Sequence, residues 1–348
     1  MRQRKRRTGV LKSWIKGGDK APLSKLQKKK IPFDKLHRGW VIANSGRYWV
    51  VEEQSTAAES SSKLYLCIPA RSITTDNPPN TSLLAVGDRV WFQPGILYGE
   101  TVHDEQAVGV IYYIEKRQTA LTRAKRGQFE QVIAANVEQL CIMVAADKPR
   151  YNRRLIDRYL VAAFKGALSP CLIVNKIDLV DNLSEIQQDL AVYSEQLEIP
   201  VFFISIYANL RIEQITRQLQ GTISVLSGPS GVGKSTLVNR LIGDAVQVTA
   251  EVGKRGKGMH TTTASRMFRL PGGGYIVDTP GIREFGIWQV RKAELRLYFP
   301  EFLRYHCRYP DCTHIHEPEC GVRQAVLEGE IDPKRYESYQ HLYFSLPD

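Results

Sequence analysis

No stretch of this 348-residue chain approaches the roughly 20 consecutive apolar residues that a membrane span requires. The N-terminus does not read as a signal peptide, so a cytoplasmic address is expected. Internal repeats are missing as well, which excludes a solenoid. Cysteine is scarce, with six residues in all, too few for a disulfide scaffold. Net charge is nearly absent from most of the chain. The total is +12, but residues 1–30 hold twelve Lys/Arg against one acid, Asp19, so +11 of the +12 sits there. A block of that kind cannot collapse on its own, and residues 1–35 read as a disordered basic tail. It serves either as a solubilising segment or as a ligand for RNA or DNA phosphates.

Residues 36–116 carry short β-rich runs separated by Gly, Ser, Asn or Pro: Leu36–Ala43, Arg47–Glu52, Leu64–Ala70, Asp88–Phe92 and Ala107–Glu115. Asn44-Ser45-Gly46 reads as the first hairpin turn. Ser55–Ser62 and Thr74–Thr81 read as loops. Five strands in so short a span suit a small closed barrel, with an OB-fold leading and an SH3-like barrel giving much the same pattern. From Arg117 onward the rhythm becomes strand–helix alternation. Apolar runs at Gln139–Ala145, Cys171–Asn175, Val201–Ser205, Ile223–Ser227 and Tyr275–Asp278 predict buried parallel strands. Helices are expected near Arg154–Lys165, Leu183–Leu197, Leu210–Leu219 and Lys234–Ile242, the second opened by a capping box of Asn182 and Glu185. The fold class is therefore multidomain: a β-barrel at 36–116, an α/β domain at 117–289 and a helical domain at 290–348.

Gly228-Pro229-Ser230-Gly231-Val232-Gly233-Lys234-Ser235 fits the phosphate-loop pattern and lies between a predicted strand and a helix opening at Thr236. Its glycines let backbone N–H groups turn toward phosphate oxygens, and the helix N-terminus adds a favourable dipole. Lys234 would reach the β- and γ-phosphates and Ser235 would hold Mg²⁺. Asn175-Lys176-Ile177-Asp178 ends a predicted strand, where α/β sheets bind ligands. The Asp178 carboxylate can accept from guanine N1–H and N2–H₂ together, a pair adenine does not offer. Asp278-Thr279-Pro280-Gly281 follows another strand; Asp278 would hold Mg²⁺ through a water, and the Gly281 N–H would meet the γ-phosphate. Gly253–Thr263 ends in His260-Thr261-Thr262-Thr263 and reads as a mobile loop, one of whose threonines, Thr262 by choice, completes the Mg²⁺ shell. A P-loop ATPase or kinase is disfavoured by Asn175–Asp178. An RNA-binding or scaffold protein, with nucleotide merely stabilising its structure, is disfavoured by the intact Lys234, Ser235 and Asp278.

Together these residues resemble the ribosome small subunit-dependent GTPase A family, a circularly permuted group of GTPases. The resemblance covers nearly everything after residue 36. Its carriers are the rotated order of Asn175–Asp178, Gly228–Ser235 and Asp278–Gly281, the His260–Thr263 loop, and Cys307, Cys312, His314 and Cys320 near the C-terminus. Ala135-Asn136-Val137 and Ile156-Asp157-Arg158-Tyr159-Leu160 are secondary marks. The resemblance implies an OB-fold, a central GTPase domain and a C-terminal zinc domain. It also implies a role in late maturation of the small ribosomal subunit, with hydrolysis of GTP to GDP and phosphate stimulated by that subunit. The position read as Ser-Ala in many GTPases is Ser205-Ile206-Tyr207 here.

Position 282, where many GTPases carry a water-orienting Gln, is Ile282, so His260 is the expected positioner of the attacking water. No arginine finger is identifiable, and slow intrinsic turnover follows. Cys307-x4-Cys312-x-His314-x5-Cys320 supplies four soft ligands with no open position, as in a structural zinc site, one ion per chain. His306 and His316 flank the set as competitors, and the family pattern favours His314. Trp40, Tyr48, Trp49, Trp91 and Phe92 are base-stacking platforms or barrel core, with core the default for each. Arg304, Arg308, Lys334 and Arg335 stand between RNA contacts and a solvated face. The expected partners are the small ribosomal subunit with its rRNA, and GTP or GDP; no membrane is expected, and the chain is expected to be a monomer.

Overall fold

The computed structural model describes residues 35–54, 63–95, 108–124, 130–243, 265–278 and 290–347. The basic tail, the Ser55–Ser62 loop, the Gly253–Thr263 loop and Thr279–Ile282 lie outside the described residues.

The N-terminal strands are β1 (His37–Ser45), β2 (Tyr48–Glu53), β3 (Leu64–Thr75), β4 (Arg89–Gln93) and β5 (Gly109–Ile114). Their pairing order is β1-β2-β3-β5-β4, and β4 returns to β1 with His37 opposite Phe92 and Trp40 opposite Arg89. β3 and β5 run parallel, whereas the other barrel pairs are antiparallel. This closed order with one parallel pair is the OB-fold, and it decides between the two barrels that the strand pattern allowed. Inward residues fill a small core of Val41, Val51, Cys67, Val90, Phe92, Ile111 and Ile114. The first hairpin turns at Gly46-Arg47 rather than at Asn44–Gly46. Asn44 pairs with Trp49 and Ser45 with Tyr48, which leaves Gly46, at φ +67, to supply the left-handed conformation.

A hairpin that strand periodicity alone did not reveal follows, β6 (Ala120–Ala124) and β7 (Glu130–Ala135). It is fastened to the barrel by Arg117, which pairs with buried Asp88 at 2.7 Å, and by Asn136, whose amide donates to the Gly87 carbonyl at 3.0 Å.

The α/β unit contains β8 (Gln139–Ala145), β9 (Ser169–Asn175), β10 (Val201–Phe203), β11 (Ile223–Ser227), β12 (Arg266–Arg269) and β13 (Tyr275–Asp278). The order is β10-β9-β8-β11-β13-β12, all parallel except β12. Helices α1 (Arg153–Lys165) and α2 (Leu183–Glu195) pack on one face through Ile156, Tyr159, Leu160, Ile186 and Leu190. Helices α3 (Ile212–Leu219) and α4 (Lys234–Ile242) cover the other through Ile215, Leu219, Leu237 and Val238. Burial on both faces explains why β8, buried along its length, is apolar from Leu140 to Ala145. α3 begins two residues later than its periodicity suggests, because Leu210 is bridged to Ser205 and Arg211 adopts φ +57. At the start of α2, Asn182 accepts from Ser184 N–H, but Glu185 meets the Asn182 side-chain amide at 2.8 Å instead of its backbone, so the expected box is only half formed.

Chain order runs outward from β8 to β10, then crosses to β11 on the opposite side of β8. The crevice outside the carboxyl ends of β8 and β11 is therefore the switch point where such sheets hold ligands.

The C-terminal segment comprises α5 (Lys292–Leu295), two 3-10 turns, α6 (Gly321–Leu327) and α7 (Pro333–Ser345). Asp332 caps α7 with Pro333 at its first position. Phe299, Phe302 and Tyr339 stack edge to face in its core, which also takes Val161 of α1. No helix among the described residues is long and apolar enough to cross a membrane.

Candidate functional site

The predicted phosphate loop leaves β11 at the switch point. Gly228, at φ +153, passes so close to β8 that a Cβ would lie 1.9 Å from the Met143 carbonyl oxygen. Gly233, at φ +103, would place a Cβ 2.6 Å from the Asn175 amide nitrogen. Side chains at either position would push the loop off the strand ends. Lys234 opens α4 and folds back, its ammonium donating to the carbonyls of Gly228 (2.8 Å) and Pro229 (2.6 Å). Burial pushes its pKa down, and the Asp278 carboxylate opposes that. Ser235 and Thr236 are exposed at the first turn of α4.

Asn175 joins the separate segments. Its amide nitrogen donates to the Val232 carbonyl at 2.8 Å, and its amide oxygen accepts from the Ile206 N–H at 3.1 Å. One buried side chain thereby fixes the phosphate loop, the end of β9 and the Ser205–Leu210 loop together. Lys176, at φ +63, reaches the Lys148 carbonyl, and Ile177 is buried behind it. Asp178 is exposed, and one of its carboxylate oxygens accepts from the Ser205 hydroxyl, which itself accepts from the Ala208 N–H at 3.0 Å. The Ser205-Ile206-Tyr207 segment thus meets the Asn175–Asp178 segment through Ser205 and Ile206, while Tyr207 is 96% exposed. Sequence reasoning anticipated this neighbourhood but not that Ser205 orients Asp178. The signal that could have found it is a lone serine closing an apolar strand opposite the Asp.

Asp278 ends β13, on the same sheet edge as the phosphate loop. His260, Thr262 and Gly281 are among the residues not described.

The C-terminal cluster assembles as anticipated. One donor atom each from Cys307, Cys312, His314 and Cys320 lies within 4.8 Å of every other. The Cys307 and Cys320 sulfurs are 3.8 Å apart, and His314 Nδ1 is 3.4 Å from both. For Zn–S bonds of about 2.3 Å, tetrahedral geometry separates sulfurs by about 3.8 Å, so the donor set and its spacing fit zinc. His314 reaches this position at φ +62, and its carbonyl accepts from Tyr336 at 2.7 Å. His306 and His316 are exposed and stand outside the cluster.

Four cationic residues of this region had been balanced between RNA contact and solvated face, and one of them is neither. Arg335 is fully buried, pairs with Asp157 of α1 at 2.6 Å and Glu301 at 2.7 Å, and lies 4.2 Å over the Phe299 ring. The two carboxylates hold its guanidinium charged against burial. Tyr193 donates to Asp157 as well, at 2.8 Å. Lys334 pairs with Asp189, Arg308 with Glu319, and Arg304 donates to the Gln196 carbonyl. The barrel aromatics divide similarly. Phe92 is core, Trp40 lies between the Arg89 guanidinium and the α/β core, and Trp91 stacks with Arg38.

This arrangement agrees with what the chain is similar to. A family model described as RsgA GTPase matches residues 114–288. The protein "Small ribosomal subunit biogenesis GTPase RsgA" of Chlorobaculum tepidum is 45% identical over 284 residues, covering 79% of this chain and 89% of that protein. Its counterpart of the same name in Azotobacter vinelandii is 42% identical over 77% of each chain. Among solved structures, YjeQ from Thermotoga maritima aligns with a TM-score of 0.68 and 31% identity, over 89% of this chain and 98% of that one. YloQ, described as a circularly permuted GTPase, shares the fold at a TM-score of 0.64 and 24% identity, over 90% and 97%. A rotated order of nucleotide motifs on one sheet edge, behind an OB barrel and ahead of a Cys₃His cluster, is thus accounted for by descent: the chain belongs to the RsgA GTPase family.

Proposed function

We propose that this chain is a Mg²⁺-dependent P-loop GTPase that docks on the small ribosomal subunit during its late assembly and leaves after hydrolysis. The observation that carries the reading is Asn175, which ties the phosphate loop to the guanine-side segment that bears Asp178. The names of the relatives, small ribosomal subunit biogenesis GTPases, support the partner. Residues 1–35, 36–116, 117–289 and 290–348 are read as tail, barrel, GTPase domain and zinc domain. The monomeric state and the cytoplasmic address belong to the same reading.

In this mechanism the N–H groups of 228–236 cradle the phosphates, and Lys234 leaves its loop carbonyls to meet the β- and γ-phosphate oxygens. Asp178, oriented by Ser205, accepts from guanine N1–H and N2–H₂. Ser235, Asp278 and Thr262 would hold Mg²⁺, which supplies charge neutralisation at the phosphates. The Gly281 N–H meets the γ-phosphate, and His260 positions the attacking water. Cys307, Cys312, His314 and Cys320 hold one structural zinc.

Steady-state hydrolysis of GTP and ATP, with and without purified small subunits, tests the reading. GTP turnover is expected to be slow alone and to rise at least tenfold with subunits, with no ATP turnover. GTP binding without stimulated hydrolysis would instead identify a scaffold. His260→Ala is expected to lower subunit-stimulated turnover about a hundredfold or more, the lower end of what a positioned proton-handling side chain contributes. Full stimulated turnover in that variant would remove His260 from the mechanism.

A further inference from the structure

Several charged side chains on the described surface are paired with a carboxylate: Arg154 with Glu337, Arg308 with Glu319 and Lys334 with Asp189. A cluster of three arginines is not. Arg211, Arg217 and Arg240 line a cleft of about 390 Å³ where α3 faces α4, and among the described residues none of the three forms an ion pair. Their orientation is nevertheless constrained. Arg240 donates to the Asn209 side-chain oxygen at 3.0 Å, and Arg217 Nε donates to the Glu213 carbonyl at 3.4 Å. Arg211 occupies the N-cap of α3 at φ +57 and makes no side-chain cap, so the positive end of that helix opens on the same cleft. One carboxylate, Glu213, lies in the lining against three guanidinium groups.

We propose that this cleft binds the phosphodiester backbone of RNA, an assignment that rests on the small-subunit reading above for the identity of that RNA. Guanidinium groups present paired donors that match phosphate oxygens. The loop between β10 and α3 adds an aromatic suited to an unpaired base. Tyr207 lies two residues before Asn209 and is 96% exposed. An isolated small anion would have no use for that ring, whereas an unpaired nucleotide beside a bound backbone would stack on it. The same loop carries Ser205, which holds Asp178, so this RNA contact adjoins the guanine-recognition segment.

The test compares full-length wild type with R211A/R217A/R240A, measuring binding to purified small subunits and to a 20-nucleotide uridine oligomer across a salt series. The variant is expected to bind both at least tenfold more weakly and to lower the salt slope by about 2–3, since each lost phosphate contact removes about one. Basal GTP hydrolysis should stay unchanged and reports correct folding. Should the triple variant misfold, Arg217→Ala alone is expected to lower the slope by about one. Unchanged slopes and affinities for both probes overturn the proposal. Wild type that binds the oligomer through these arginines but ignores subunits would keep the RNA cleft and refute the small-subunit reading. A loss confined to subunits, with oligomer binding intact, points to an acidic ribosomal protein and overturns the assignment to RNA.

Discussion

Stripping the metal from the Cys307–Cys320 cluster is expected to unfold the C-terminal helices. The cluster is part of the core it holds. Cys312 and Cys320 pack with Phe302, Val322, Ala325 and Tyr339, and the Thr313 carbonyl takes the Tyr339 hydroxyl. A structural zinc contributes about 10–16 kcal/mol to a domain of this kind, comparable to the whole net stability of an ordinary domain, about 5–15 kcal/mol. Without it, three thiols and an imidazole are left converging inside an apolar cluster. Native protein should carry one zinc per chain by elemental analysis. A strong chelator, or Cys312→Ser, should release amide protection throughout Pro333–Ser345 in hydrogen exchange. Metal-free protein with α7 still protected would show that apolar packing alone holds this region.

Arg335→Met is expected to be the most damaging single substitution outside the nucleotide and metal sites. It leaves Asp157 and Glu301 buried and facing each other's charge without the guanidinium that compensates both. Breaking a buried pair from one side costs about 3–5 kcal/mol. That corresponds to exchange in α7 faster by about two to four orders of magnitude. The compensating variant Arg335→Met with Asp157→Leu and Glu301→Leu should recover most of the loss, because removing all the buried charges removes the desolvation cost with them. An Arg335→Met protein as stable as wild type would mean that water reaches these carboxylates. Since Asp157 belongs to α1 and Arg335 to α7, the same substitution is expected to loosen the C-terminal helices from the α/β unit.

The difference between what could be read early and what could not follows chain distance. The Gly228–Ser235 loop was legible because its pattern is local: eight consecutive residues set the loop and the helix start, and Gly228 and Gly233 are required by close approach to Met143 and Asn175. The Cys₃His cluster was legible for the same reason, falling within fourteen consecutive positions, 307–320. Arg335 was misread because nothing around it marks it as buried. Its acidic partner Asp157 is 178 residues away, in a helix whose sequence looks amphipathic. The hairpin of β6 and β7 escaped notice since its polar residues pair across the strands, Thr122 with Glu130 and Arg123 with Gln131 at 3.0 Å, and blur the period-two pattern.

By itself the sequence marked the segments and what they can offer: the Gly228–Ser235 loop, the Asp178 carboxylate, a Cys₃His set and a five-strand barrel, each written in nearby residues. Tertiary structure decided everything that needs two distant segments to meet. It selected the OB order through the parallel β3–β5 pair, set Ser205 against Asp178, buried Arg335 between two acids and gathered three arginines around one cleft. Local propensity fixes which atoms a segment can offer. Only packing decides which of those atoms are desolvated, and it is desolvation that separates a solvated charge from a lock or a binding site.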